Sequence, residues 1–447
     1  TEPLDAVVAD LESFIPSHMD SSGVPGLAIA LVRDGQVVWT EGFGVTNRLT
    51  GEAVTPDTAF EVASISKVVT AYTALRLVDE GELTLDEPLV ASLATPWLPP
   101  SDLAGEITLR HVASHSSGLK DNDLGPFDKG IRFEPGSQFA YSGVGFVYMQ
   151  QAVEQVTDAS LEDAAQTLVF GPLGMQSSTF AGQADYKLNM ANGHITYALP
   201  LLFFLLPFAG LFVVLTLAGM VVRRISTGRW RPTTKLVVGT ASVAVLMALI
   251  WVYLTLGRVL PNLALLTVLC VLVFGGIVAL LWFLSRKMGA RITEPRQRTR
   301  VHMLTMSVTV VALLLLSGTV TGPMPSILSP PPSAIGSLRT TAPDLATFLA
   351  EVAAPRLLDE QTASQLGTPQ IAINENFSWG LGIGIQHSDL GQALWQNGMT
   401  PGFRSVMVIY PEHQWGVVVL TNSDAGFPLA YDVAARALGG KAQWSSF

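Results

Sequence analysis

The stretch "EVASISKVVTAYTAL", residues 61–75, is the part of the chain that decides our interpretation of the fold. It places Ser64 and Lys67 three residues apart at the start of an apolar segment, which predicts a helix from Ser64 towards Gly81. Residues i and i+3 share one face of a helix, so Ser64 Oγ and Lys67 Nζ can meet. A serine hydroxyl becomes a good nucleophile when a neighbouring group removes its proton, and an uncharged lysine amine can do this. Since the helix start also offers backbone N–H groups to an oxyanion, Ser64 is predicted to be a catalytic nucleophile.

The segments at the two ends of the chain predict strands and helices around this motif. Residues 4–19 place six apolar side chains on one helical face, namely Leu4, Val7, Val8, Leu11, Phe14 and Ile15. Two strand-like runs then flank Asp34-Gly35, a dipeptide typical of a hairpin turn. Two more predicted strands and a final helix follow near the C-terminal end, in "SVMVIY", "WGVVVLTN" and residues 429–438. With strands at both ends and helices between them, the predicted fold class is α+β.

Charge is distributed unevenly along the chain. The formal net charge is −10, yet residues 197–322 carry 12 Lys and Arg and a single acid, Glu294. The flanking regions are therefore strongly acidic, which argues against nucleic-acid binding because that function needs a basic surface. Cys270 is the only cysteine, so the chain can form neither an intrachain disulfide nor a cysteine-based zinc site. The sequence holds no metal or phosphate motif, and no cofactor is expected.

Four long apolar runs predict membrane-spanning helices in the middle of the chain. They cover residues 198–222, 236–257, 259–285 and 303–320. A spanning helix needs about 20 apolar residues. The alternative, buried helices of a soluble core, is less favoured because such helices are seldom free of charge on every face. No Asp, Glu, Lys or Arg lies inside a run, which argues against a transporter because ion pathways usually need such residues.

The loops between these runs predict how the chain is oriented. The first and third loops are rich in Arg and Lys, and the positive-inside rule places both in the cytoplasm. Four spans return the chain to the side that it left, so both flanks are expected on the extracytoplasmic face of the cell membrane. The predicted organisation is one domain split between residues 1–195 and 323–447, with a transmembrane insertion at 196–322. Export of the domain would imply a signal peptide that has been removed or omitted.

The two flanks together carry a resemblance to a known family. The matching segments, in chain order, are "VPGLAIALVRDGQ", "FEVASISKVVTA", "ITLRHVASHSSGL", "FEPGSQFAYSGVGF", "GPLGM", "SAIGSLRTTAPDLATFL", "WGLGIGI", "TPGFRS" and "GVVVLTNSD". In these segments the chain resembles the serine β-lactamase-like hydrolases: class C β-lactamases, low-molecular-weight penicillin-binding proteins, and related esterases and D-amino-acid peptidases of the S12 type. The resemblance implies a β-lactamase-like antiparallel sheet flanked by helices, together with an all-helical region. The four-helix transmembrane insertion would interrupt this single domain.

The second motif of that family, Tyr-x-Asn, corresponds here to Tyr141-Ser142-Gly143. The resemblance implies that Tyr141 moves protons together with Lys67. The asparagine side chain, which helps the family to position a substrate amide, is replaced by Gly143. This difference makes ordinary handling of β-lactams doubtful.

The third motif, Lys-Thr-Gly or His-x-Gly, corresponds to Gln396-Asn397-Gly398. Gly398 would let a substrate approach the strand backbone closely. The cation that holds a substrate carboxylate in the family is replaced by neutral Gln396, which implies a substrate without a carboxylate at that point. The backbone N–H of Met399 would be the second oxyanion donor, beside that of Ser64.

The predicted function is a membrane-anchored serine hydrolase that forms an acyl-enzyme on Ser64. Hydrolysis of an amide in an acylated or D-amino-acid-containing exported substrate ranks first, ahead of ester hydrolysis and β-lactamase activity. A sensor that is acylated without turnover and a catalytically inactive scaffold are the alternatives from other classes. The expected partners are an amphipathic or peptide-like small molecule and the lipid bilayer, and the oligomeric state is left open. His115 is interpreted as structural rather than as a base.

Overall fold

A computed structural model of the chain describes residues 3–121, 129–181, 189–196, 321–323 and 332–439. The four apolar runs that are predicted to cross a membrane lie outside these ranges. Among the helices in the described ranges, none has the length and apolar character that a membrane crossing requires. The transmembrane insertion therefore stays a prediction from the sequence.

The chain enters the fold through a helix and a tight β-hairpin. Helix α1 (Leu4–Ser22) buries Val7, Leu11, Ile15 and Met19 along one face, as its apolar period predicts. Strands β1 (Gly26–Arg33) and β2 (Gln36–Gly44) pair in antiparallel fashion. Asp34 and Gly35 between them have φ values of 52° and 72°, the left-handed geometry whose twist matches the flanking strands. The predicted hairpin is confirmed.

Ten further strands follow the hairpin within the described ranges. Their bounds are β3 (Ala59–Glu61), β4 (His194–Thr196), β5 (Thr321–Pro323), β6 (Arg339–Thr341), β7 (Ile371–Ala372), β8 (Phe377–Trp379), β9 (Gly384–Ser388), β10 (Gly391–Thr400), β11 (Phe403–Tyr410) and β12 (Trp415–Thr421). Eight of the described strands form one antiparallel sheet in the order β2-β1-β12-β11-β10-β9-β8-β7. Two pairs of short strands, β3 with β6 and β4 with β5, lie outside it.

Helices cover both faces of this sheet. Their bounds are α2 (Ile65–Asp79), α3 (Leu109–Ala113), α4 (Gly143–Thr157), α5 (Leu161–Ala165), α6 (Gly171–Leu173), α7 (Ala342–Ala353), α8 (Glu360–Leu366) and α9 (Gly426–Leu438), with short 3₁₀ turns at Leu89–Ser92, Leu103–Glu106 and Pro411–His413 and a π turn at Gln166–Phe170. Helix α2 is the one predicted from residues 61–75, and Gly81 just beyond it has a φ of 75°. Helices α1 and α9 pack on one face, while α7 packs on the other beside the region built from α2, α4 and α5.

Strand alternation explains why one sheet can serve two cores. Successive side chains of a strand point to opposite faces. In β1, Leu27, Ile29 and Leu31 join the core with α1 and α9, whereas Ala28, Ala30 and Val32 join the core with α2, α4 and α7. The small alanines let α7 approach the sheet closely. The observed architecture is the predicted α+β fold, with an antiparallel sheet and flanking helices.

The two flanks of the central segment build this fold together. The first strand, β1, pairs with the last, β12, with Leu27 opposite Thr421. Strand β3, just before Ser64, pairs with β6 from the second flank. Strands β4 and β5, at either end of the central segment, also pair with each other. By packing, Thr1–Ile195 and Gly322–Phe447 belong to one compact unit, and Thr196–Thr321 is a separate unit.

The pairing of β4 with β5 predicts that the central segment can be removed without unfolding the domain. We expect a variant in which a short Gly/Ser linker replaces residues 197–320 to unfold cooperatively in urea, because both strands that flank the cut already lie side by side. A matched variant that carries the same linker and also lacks residues 403–439 should not fold, since it loses strands β11 and β12 and helix α9. Failure of the first variant to fold would contradict the split-domain architecture.

Candidate active site

Ser64 and Lys67 meet at the start of helix α2. Ser64 is the residue at the helix N-terminus and is partly exposed, whereas Lys67 is only 2% exposed. Lys67 Nζ lies 3.1 Å from Ser64 Oγ and donates a 2.9 Å hydrogen bond to the carbonyl oxygen of Ile335. In the described part of the chain, no carboxylate forms an ion pair with this amine. The predicted meeting of the two side chains is confirmed.

The backbone just before Ser64 is strained. Ala63 has a φ of 48°, in the left-handed region that costs a non-glycine residue about 1–2 kcal/mol. Such strain persists only where the surroundings enforce it, and it is common at functional sites. The hydroxyl of Ser66, which the helix period turns away from Ser64, instead accepts a 3.0 Å hydrogen bond from the backbone of Leu338.

Tyr141 lies beside Lys67, as the resemblance implies. The Tyr141 side chain is half-buried, and Lys67 Nζ is 5.1 Å from the centre of its ring. Gln396 Nε2, on strand β10, donates to the Tyr141 hydroxyl over 3.4 Å. The phenol is therefore held between a lysine and a neutral amide. Lys67 comes from the first family motif and Gln396 from the third, so both of these motifs meet at Tyr141, the tyrosine of the second.

Strand β10 presents a free edge next to these residues. Strand β9 pairs with β10 only as far as Trp395, so within the described ranges no strand pairs with this side of residues 396–400. Gly398 lies directly against the segment that precedes Ser64, because a Cβ atom there would be 2.1 Å from the carbonyl oxygen of Val62. The free edge therefore begins beside the nucleophile. Extended, peptide-like molecules can add to such an edge through their own backbone groups.

The residues of the third motif and the Met399 that follows it divide between the two faces of β10. Gln396 is 4% exposed and faces Tyr141, whereas the Asn397 side chain lies on the opposite face. Asn397 Nδ2 donates a 2.9 Å hydrogen bond to the hydroxyl of Tyr431 on α9, and burial raises the pKa of Tyr431 to about 12. The structure thus does not bring the Asn397 side chain to Ser64. The Met399 side chain is 65% exposed, and its backbone N–H stays a predicted oxyanion donor.

Gly143, the replacement for the family's asparagine, is the first residue of α4. Its backbone N–H donates a 2.8 Å hydrogen bond to Asp121 Oδ1. Ser142 caps the same helix by accepting from the backbone N–H of Gly145. Gly143 is therefore close to Tyr141 in the chain but contributes only backbone to the site.

The second flank supplies an unpredicted part of the site through residues 333–339. Besides the Ile335 carbonyl that accepts from Lys67, Gly336 lies close enough for an added Cβ to contact Ala63. Arg339, which is buried on β6, pairs with Glu61 at 3.1 Å. These contacts join the two flanks immediately behind Ser64. No local motif could have signalled them, because the partners are more than 260 residues apart in sequence.

His115 and an aromatic cluster around Tyr141 were also not predicted as part of the site. The His115 ring stacks on the Tyr141 ring with centroids 4.1 Å apart, and Trp379 meets both rings edge-on. His115 is 1% exposed. Burial, with a smaller contribution from the Lys67 charge, holds the pKa of His115 well below its usual 6.5.

Within the described ranges, no cluster of His, Cys, Asp and Glu is arranged to hold a metal ion. A cavity of about 340 Å³ lies elsewhere, between α1 and the end of β2, and is lined mainly by apolar residues such as Met19, Val24, Phe43 and Val45. None of the residues that line this cavity belongs to the candidate active site.

Comparison with known protein families finds a match over well over half of the chain. Residues 11–202 and 284–441 match the family model described as Beta-lactamase. The unmatched residues between these two ranges fall inside the predicted insertion.

Several curated proteins are similar to parts of this chain. Penicillin-binding protein 4 of Amycolatopsis lactamdurans is 31% identical over 187 residues, which are 38% of this chain and 49% of that protein. Esterase EstB of Burkholderia gladioli is 29% identical over 216 residues, 40% of this chain and 53% of the esterase. A D-aminopeptidase of Brucella canis is 27% identical over 189 residues, 38% of this chain and 35% of the peptidase. The chain therefore spans about half the length, or less, of the curated relatives it matches.

Solved structures share the fold. A D-amino acid amidase from Ochrobactrum anthropi SV3 superposes with a TM-score of 0.61 at 17% identity, covering 99% of both chains. An octameric penicillin-binding protein homologue from Pyrococcus abyssi gives a TM-score of 0.62 at 20% identity, covering 98% of this chain and 78% of that one. At these low sequence identities, the structural similarity establishes a shared fold and nothing further.

The close approach of Gly398 to Val62 predicts that Gly398→Ala will damage the site. The added Cβ must push the strand edge away from Ser64, and a displacement of about 1 Å can cost roughly 100-fold in rate. We expect the labelling rate of Ser64 with a fluorophosphonate to fall by that order. Gly105→Ala, at a position with no atom within 4 Å of the added Cβ, is the control and should label normally. Normal labelling of Gly398→Ala would contradict the described edge.

The depressed pKa of His115 predicts a pH dependence of stability. Below about pH 6.5 the unfolded chain binds a proton at His115 that the folded chain does not, so the free energy of unfolding should fall as the pH drops. One such proton makes the free energy of unfolding change by up to about 1.4 kcal/mol per pH unit. Free energies of unfolding, measured by urea titration at several acidic pH values, should depend less steeply on pH in His115→Asn than in the wild type. Equal slopes would show that His115 is not held neutral.

Proposed function

The chain belongs to the beta-lactamase family, and on that premise we propose that it is a serine hydrolase that works through an acyl-enzyme on Ser64. The observation that carries this proposal is the position of Lys67 Nζ, 3.1 Å from Ser64 Oγ at the start of α2. Tyr141 beside the amine and the free edge of β10 supply the other parts that such a reaction needs.

Acylation begins when Ser64 Oγ attacks a substrate carbonyl carbon. The Oγ–C bond forms, and the proton of Ser64 passes to Lys67 Nζ in its uncharged form. The carbonyl oxygen takes up negative charge, which the backbone N–H groups of Ser64 and Met399 would stabilise. As the tetrahedral intermediate collapses, the bond to the leaving group breaks. Tyr141 and Lys67 return the proton to the leaving nitrogen or oxygen.

Deacylation repeats these steps with water as the nucleophile. Water attacks the ester carbonyl, its proton passes through Tyr141 and Lys67, and Ser64 Oγ leaves and regains a proton. Substrate and one water molecule balance the two steps together, with Ser64, Lys67 and Tyr141 regenerated at the end. Loss of one oxyanion donor typically costs about 10²–10³ in rate, while loss of Ser64 removes the covalent route altogether.

The substrate class that we favour is an amide in an acylated or D-amino-acid-containing molecule. Gln396 is neutral where the family pattern has a lysine or histidine, so position 396 offers no cation to a substrate carboxylate. The free edge of β10 suits an extended, peptide-like chain. A relative named D-aminopeptidase and a structural neighbour named D-amino acid amidase favour the same class.

Membrane attachment is part of the proposal. The four apolar runs of the central segment would anchor the chain, and the loop charges would place the catalytic domain on the extracytoplasmic face. The pairing of β4 with β5 supports it, since both ends of the central segment leave the domain at one place. An amphipathic or exported substrate would then reach Ser64 near a bilayer.

Ester hydrolysis is the second candidate, favoured by the similarity to esterase EstB. Amidase and esterase activities share the acyl-enzyme and differ in the leaving group. A sensor would be acylated on Ser64 in the same way but would not undergo deacylation.

The proposal is tested by labelling the full chain with a fluorophosphonate and mapping the adduct by mass spectrometry. We expect one adduct, on Ser64, and none in Ser64→Ala. Ser66→Ala is the matched control, because that hydroxyl faces Leu338, and it should label at Ser64. A label that persists in Ser64→Ala would overturn the assignment of the nucleophile.

The same preparations distinguish the candidate reactions. D-Phenylalanine amide, a D-amino acid 4-nitroanilide, 4-nitrophenyl acetate and a chromogenic β-lactam should be compared by kcat/KM. The proposal expects turnover of the amides to exceed that of the β-lactam. Turnover of the ester alone would favour the esterase, and acylation without release would favour the sensor.

A further inference from the structure

His115 makes three contacts with Tyr141 and its two chain neighbours. The carbonyl oxygen of His115 accepts a 2.8 Å hydrogen bond from the backbone N–H of Ala140. His115 Nδ1 accepts a 3.0 Å hydrogen bond from the backbone N–H of Ser142. Between these two anchors, the imidazole stacks on the Tyr141 ring at 4.1 Å and 30°. One residue thus holds the backbone on both sides of Tyr141 and one face of its ring.

The hydrogen bonds fix the protonation state of the imidazole. Because Nδ1 accepts from an N–H group, the proton of the neutral ring is on Nε2. Nε2 is buried and has no hydrogen-bond partner among the described residues; the rings of Phe139, Phe146 and Trp379 surround the imidazole. A buried donor without a partner destabilises the fold. His115 therefore carries an unsatisfied buried donor next to Tyr141.

This geometry argues against His115 as a general base. Its one available lone pair is engaged by Ser142, and its side chain is almost completely buried. The backbone of His115 is itself held in the left-handed region, with a φ of 56°, and its N–H donates to the carbonyl of Val112. The residue is thus fixed to the end of α3 before it contacts Tyr141.

We infer that His115 is the positioning residue of Tyr141, and that its acceptor nitrogen and flat ring together hold the phenol between Lys67 and Gln396. This inference rests on the proposed function, since it assigns to Tyr141 the proton transfer described above. Different substitutions can remove the acceptor nitrogen and the flat ring of His115 separately. Phenylalanine at this position would keep a flat ring but leave the Ser142 N–H unsatisfied, while asparagine would keep an acceptor close to Nδ1 but lose the stacking.

The test compares His115→Phe and His115→Asn in the full chain, with 4-nitrophenyl acetate as the probe. We expect kcat to fall roughly 100-fold in His115→Phe with KM little changed, because a misplaced proton-transfer group affects the reaction more than binding. His115→Asn should recover part of that loss. The matched control is His194→Asn, since His194 is equally buried and also accepts from a backbone N–H, that of Arg48, outside the site.

A second measurement does not depend on activity. Amide hydrogen exchange at Ser142 should be at least about 10-fold faster in His115→Phe and close to wild type in His115→Asn, because only the phenylalanine removes the acceptor. Unchanged exchange in His115→Phe would overturn the inference, as would wild-type kcat in that variant or an equal loss in His194→Asn. If the wild-type chain neither hydrolyses the ester nor reacts with a fluorophosphonate, the proposed function fails. Exchange at Ser142 then still decides the role of His115.

Discussion

The approach of Lys67 Nζ to Ser64 Oγ is the interaction on which the rest of the site depends. The Lys67 amine is buried beside the backbone carbonyl of Ile335 and the ring of Tyr141, and no carboxylate of the described residues is paired with it. The first turn of α2 brings Ser64 and Lys67 to one helix face. The strained Ala63 directly precedes Ser64, and Gly398 of strand β10 packs against Val62.

That arrangement requires both flanks of the chain. Ser64, Lys67 and Tyr141 come from the first flank, whereas Ile335, Arg339 and Gln396 come from the second. Neither flank alone has a complete sheet, because β1 is inserted beside β12 and β3 pairs with β6. A long central segment is compatible with such a domain when its two ends lie together, as β4 and β5 do.

The sequence was most informative where the chemistry is local. The spacing of Ser64 and Lys67 predicts their contact, Asp34-Gly35 predicts the hairpin, and both predictions are confirmed. The resemblance to serine β-lactamase-like hydrolases is confirmed by the family match, and the α+β fold by the structure. Motif alignment alone was less informative about side-chain direction, since strand alternation turns Asn397 towards Tyr431. His115 was interpreted as structural, but its stacking on Tyr141 depends on packing that no local pattern encodes. The four predicted spans lie outside the described residues and stay a prediction.

The most direct measurement of the central claim is the mass of the intact protein after rapid acid quenching during turnover of 4-nitrophenyl acetate. If Ser64 forms an acyl-enzyme, the spectrum should contain a transient species heavier by one acetyl group, and peptide mapping should place that group on Ser64. The species should be absent in Ser64→Ala and should accumulate to a lower level when Lys67 is replaced by Met. Steady release of 4-nitrophenol by the wild type, with no acetylated protein at any quench time and the same rate in Ser64→Ala, would contradict the account.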